Sequence, residues 1–125
     1  MIFPFGIDKE AQIYCNSAKF ALSQANQDVI LPQIEETAIN MVNNGILAMP
    51  YSDILQGIVV WTEECVQREG WDIVDEDGVA WMMAIFVKAY IRAIDIQNGS
   101  SVFDTPRLTF DIVFQDAFKA YFEDK

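Results

Sequence analysis

Apolar side chains recur at three- and four-residue steps along most of this chain, the signature of helices that bury one face. From Lys9 to Asn26 the small residues Ala11, Ala18, Ala21 and Ala25, with Tyr14, follow that spacing, and Asp8 stands where a cap is wanted. The alanines would let a neighbouring helix come close. A second stripe, Leu31, Ile34, Ala38, Met41 and Val42, predicts a helix over 31–44, with Pro32 in its first turn and Gly45 as its stop. Glu35 and Glu36 would then sit near the positive end of the helix dipole. A third helix is expected over 52–69, capped by Ser52 and ended by Gly70, with Leu55, Ile58, Thr62, Cys65 and Val66 on its apolar face. Gly57 interrupts it at a cost of about 1 kcal/mol against alanine. Either another helix packs closely there or the boundary lies elsewhere.

The segment 78–97 has a different pattern. Its first half, "VAWMMAIFV", is apolar all round, which marks a central buried helix. Asp75 or Asp77 would cap it. Lys88, Arg92 and Asp95 form its one charged stripe, which leads back at helical spacing to Trp81 and Ile85 and predicts that those two are exposed or lie in an interface. A last helix follows "DTPR", with Asp104 or Thr105 as cap and Pro106 as first residue. Phe110, Phe114, Phe118 and Phe122 recur along it every four residues, a stripe suited to the core. "LTFDI" also alternates with period two, so a short hairpin near residues 102–114 competes with the start of this helix. The expectation is an all-α fold: a compact single domain over 1–125, a bundle of about five helices around the central apolar one.

Composition agrees with one globular domain, since 52% of the 125 residues are hydrophobic. Charge adds more. The formal net charge is −11. That sign opposes nucleic acid, whose binders displace counterions with lysine and arginine, and it opposes anionic membranes. It favours a basic protein partner. Seven acids against Arg68 alone lie between residues 63 and 77, so six of the eleven excess charges sit in fifteen residues. A uniform solubility coat would not be so concentrated. No stretch is long and apolar enough for a membrane span, and "MIFPFGIDKE" lacks the basic start and apolar run of a secretion signal, so a soluble, cytoplasmic protein is expected.

The chain has no histidine. This removes the histidine-based nucleophilic triads, the HExxH zinc sites and the ExxH di-iron sites, together with the usual general base near neutral pH. Cys15 and Cys65 stand far apart with no CxxC, and both read as small buried hydrophobes. The stretch "DIVDEDG" suggests a calcium loop until it is aligned. With Asp75, Asp77 and Gly78 at loop positions 3, 5 and 6, Ile73 and Ala84 occupy the first and last ligand positions. Asp72 and Asp75 have the spacing of the helical NTP pyrophosphatases of the MazG type, which hold magnesium through an ExxE and an ExxD motif. Here the pair lies in a loop, and no ExxE exists, because Glu35, Glu36, Glu63 and Glu64 are followed three residues on by Ala38, Ile39, Val66 and Gln67. No catalytic residue, metal site or cofactor is therefore assigned.

What remains is the acidic corner as a surface. Glu63, Glu64 and Glu69 fall toward the C-terminal end of the third helix, where the dipole repels carboxylates, whereas Asp72, Asp75, Glu76 and Asp77 precede the fourth, where they are favoured. Trp71 stands among them, an aromatic anchor ringed by charge. These eight residues form the candidate partner-binding surface. The profile matches small acidic inhibitors, such as immunity proteins that block nucleic-acid-degrading toxins. The alternatives are a homodimeric adaptor using the Trp81/Ile85 edge or the Phe110–Phe122 stripe, a secretion chaperone, and a magnesium-dependent hydrolase using scattered carboxylates.

Overall fold

The structure, a computed structural model, describes residues 6–98 and 108–123. Its helices are α1 (Ile7–Gln24), α2 (Gln27–Asn43), α3 (Tyr51–Arg68), α4 (Glu76–Asn98) and α5 (Phe110–Glu123), with a 3-10 turn at Ile46–Ala48. There is no strand among the described residues, and residues 110–114 of the competing hairpin are the opening of α5. The suggested caps Asp104 and Thr105, and Pro106, lie outside the described residues. Thr109 closes the start of α5 instead, its hydroxyl accepting from the Ile112 N–H at 3.3 Å.

The all-round apolar segment is the central helix, as its pattern predicts. α4 packs against α1, α2, α3 and α5, and Val79, Met83, Ala84 and Val87 on it are fully buried. The phenylalanine stripe of α5 is core. Phe114 and Phe118 have no exposed surface, and successive rings from Phe110 to Phe122 lie 5.7, 5.8 and 4.7 Å apart. Tyr14 of α1 stacks on Phe118 at 5.3 Å. Rings at four-residue spacing project one above another on a helix face, so this ladder follows directly from the sequence.

Three further helix starts differ from expectation. The N-cap of α1 is Gly6, and Asp8 lies inside the first turn, where it pairs with Lys119 of α5 at 3.1 Å. α2 begins four residues earlier than its apolar stripe suggests, because Asn26 caps it: the Asn26 side chain accepts from the Asp28 N–H at 3.1 Å. The longer helix carries Pro32 inside it and turns Ile30, 6% exposed, into the core, leaving Leu31 at 52%. Glu35 and Glu36 then sit mid-helix, away from the dipole. Glu35 has another partner, a two-pronged pair with Arg92 of α4 at 2.8 and 3.2 Å, which holds its carboxyl below the usual range. Pro50 rather than Ser52 precedes α3, and Asp77 lies within α4, so Asp75 is left in the cap position.

Gly45 and Gly70 end α2 and α3 in left-handed backbone, at φ 70° and 78°. Gly57 resolves in a third way. The ring of Trp61, one turn on, lies over it, 3.6 Å from where a β-carbon would stand, and is its nearest neighbour among the described residues. No helix among the described residues is long and apolar enough to cross a membrane.

Candidate functional site

The corner between α3 and α4 is locked by its own backbone. Gly70 N–H bonds to the Gln67 carbonyl and Trp71 N–H to the Val66 carbonyl, both at 3.0 Å, the paired bonds of a Schellman stop. Asp72 then turns the chain: its Oδ1 accepts from Val74 N–H, and its carbonyl accepts from Asp75 N–H, both at 3.0 Å. The Tyr121 hydroxyl of α5 donates to the Ile73 carbonyl and ties the loop to the bundle. Asp72 and Asp75 thus have local tasks, in the turn and at the start of α4.

Trp71 is held from below. Its ring lies against Gly78, whose β-carbon, if it had one, would stand 3.0 Å from the ring. This contact crosses a loop, and no spacing rule in the sequence announces it. The indole remains 39% exposed. It is both seated on the helix and available.

The eight corner residues share one end of the bundle but point three ways. Glu63 and Asp72 lie near the Tyr121 hydroxyl, which burial, and then these two carboxylates, push up to about 12. Asp75, Glu76 and Asp77 lie toward Tyr14 of α1, whose hydroxyl is raised by burial first and then by those acids and Glu10. Glu64, Glu69 and Trp71 face a furrow between α2 and α3, floored by α4. Among the described residues no three carboxylates or thiols converge so as to hold a metal ion.

The furrow consists of two hollows, of about 300 and about 680 Å³, which share Thr37, Asn40, Cys65 and Phe86. Trp61 lines the smaller one; Trp71 and Trp81 line the larger. All three tryptophans of the chain therefore meet one surface. Their even spacing by ten is no repeat: they reach the furrow from α3, from the loop and from α4. Trp81 and Ile85 are half-buried rather than exposed, because they pack on the core from the floor of the furrow. Cys65 is half-buried here, whereas Cys15 is fully buried as expected, its thiol pushed up to about 11 chiefly by that burial. Glu36, on the α2 wall, is a furrow carboxylate that the sequence does not mark, since only the folded bundle brings α2 beside Trp71 and Glu69. The Phe110–Phe122 stripe, the other candidate interface, is largely interior.

The chain matches no family model, no curated protein and no solved structure. Its class is set by its own geometry: an all-helical bundle whose open furrow is lined by tryptophan and flanked by carboxylates.

Proposed function

We propose that this is a non-catalytic acidic binding protein, of the inhibitor or immunity type, that engages a basic protein partner through the corner at residues 63–77. One observation carries the reading. Trp71 is 39% exposed beside Glu69 and Asp72, in a loop fixed by backbone hydrogen bonds. A rigid aromatic with a ring of charge loses little entropy on binding and steers an oppositely charged partner. Glu69 lies at the negative end of α3, where local structure gives a carboxylate no reward. Partner binding supplies one.

The test is capture at low salt from the native host, with wild type beside a Glu64→Lys/Glu69→Lys/Glu76→Lys variant of unchanged helical circular dichroism, which leaves the turn at Asp72 intact. Wild type is expected to retain a basic protein that salt releases, and the variant to retain none. Retention by the variant would move the site off the corner. If wild type retains no basic protein, the reading fails.

A further inference from the structure

The corner accounts for Trp71, but not for the other two tryptophans or for the length of the furrow. α2 packs chiefly on α4, and α3 packs on α4 and α5, so the two walls stand apart. The open strip of α4 between them is Trp81, Met82, Ile85 and Phe86, all half-buried. Those positions form two parallel four-residue ridges, 81–85 and 82–86. Such ridges are the surface that receives the ridges of another helix.

The walls repeat the pattern. Along α2 the furrow runs from Val29 to Asn44, which at a helical rise of about 1.5 Å per residue is about 22 Å, or four turns. Its rim carries Glu36 on one side and Glu64 and Glu69 on the other, and among the described residues Arg68 is the only basic one lining it. A second copy of this chain would bring its own net charge of −11 to that rim. Charge therefore selects a basic occupant, and the ridged apolar floor selects a helical one.

We infer that the furrow between α2 and α3 receives an amphipathic helix of about four turns from the partner protein, apolar face down on Phe86 and the tryptophans, with lysines or arginines reaching Glu36, Glu64 and Glu69. This rests on the proposed binding function and adds the partner's element and the seat it takes. Central aromatics shielded by a charged rim are the arrangement in which truncations cost most at interfaces.

The probe is a synthetic peptide of about 16 residues, with leucines on one helical face and lysines on the other. Two controls accompany it, one of the same composition in scrambled order and one with glutamate for lysine. Two readouts report directly from the site. Tryptophan emission is one, since all three indoles line the furrow. Alkylation of Cys65 is the other, since Cys15 is fully buried with a thiol pushed up to about 11. The patterned lysine peptide is expected to become helical, shift the emission and slow Cys65 labelling at least about tenfold at saturation. A Glu36→Lys/Glu64→Lys/Glu69→Lys variant, altered only at exposed or rim positions, should lose that protection while keeping its helical content. Equal protection by the scrambled or the glutamate peptide overturns the inference, and so does no protection by any. Light scattering at the mass of two chains, with Cys65 already shielded in the protein alone, would make a second copy the occupant and also overturn it. If the peptide fails while corner-dependent capture of a basic protein holds, the helical seat falls and the binding function stands. If that capture fails, the function falls by its own experiment.

Discussion

Gly57 sits inside α3 beneath the ring of Trp61, and the distance there sets the sign of a substitution. An added methyl would meet the indole at 3.6 Å, an ordinary van der Waals contact. Nothing in the left-handed region holds the residue, so alanine keeps the helix and lowers the entropy of the unfolded chain. Gly57→Ala should stabilise the protein by about 1 kcal/mol in urea unfolding; a loss of stability would show that the ring needs the gap. Gly78 is the opposite case, because its methyl would meet the Trp71 ring at 3.0 Å and force it to shift. The two glycines were not equally legible. Trp61 is four residues from Gly57, a neighbour any helical projection finds. Trp71 reaches Gly78 across the turn that Asp72 makes, and only the folded loop brings them together. The same holds for Cys65: apolar neighbours in the sequence suggested burial, but it faces the side where α2 and α3 stand apart.

Elements were legible where a continuous apolar pattern ran through them and less so where a side chain set the boundary. α4 and the ladder of α5 follow from runs and four-residue spacing, because such patterns leave a helix only one way to bury itself. The start of α2 turned on one hydrogen bond, from the Asp28 N–H to the Asn26 side chain, and the four residues it adds exchange Ile30 for Leu31 in the core. The loop between α3 and α4 depends on a contact equally distant in sequence, the Tyr121 hydroxyl on the Ile73 carbonyl. Tyr121→Phe keeps the ring and leaves that carbonyl without this donor, which should cost about 1–2 kcal/mol at neutral pH. The pH dependence follows from the same group. Burial, with Glu63 and Asp72 nearby, raises the folded-state pKa from 10.0 to about 12. Between those values the unfolded chain has released the proton and the folded chain has kept it, so the contribution is full below pH 10 and is lost as pH rises through 12. Urea unfolding from about pH 8 to about pH 11 should show stability falling at the alkaline end, less steeply in Tyr121→Phe. Equal slopes would place the alkaline loss on Tyr14, Tyr51 and Tyr90, whose hydroxyls burial also raises.

At the scale of the whole molecule the charge is spent against stability. Six of the eleven excess negative charges lie within residues 63–77, and the structure arranges them around one end of the bundle. The sequence made that concentration visible; the division into three directions was hidden, because it depends on where α1, α2 and α5 come to rest around the corner. Two of the three groups have neighbours that the fold supplies, Tyr121 with the loop, and Tyr14 with the start of α4. Glu69 stands at the close of α3 and on the furrow, exposed, at the helix end that favours a cation. A carboxylate there opposes the helix dipole and adds to the repulsion at the corner. Glu69→Lys should therefore raise stability by a few tenths of a kcal/mol while weakening the partner's hold. Salt separates this from a packing effect. Between about 0.01 and 0.15 M the Debye length falls from about 30 to about 8 Å, so wild type should gain stability over that range and Glu69→Lys should gain less. Unfolding and binding measured on the same two proteins across that range should move in opposite directions. A variant that is more stable and binds equally well would mean that the repulsion at the end of α3 serves no partner.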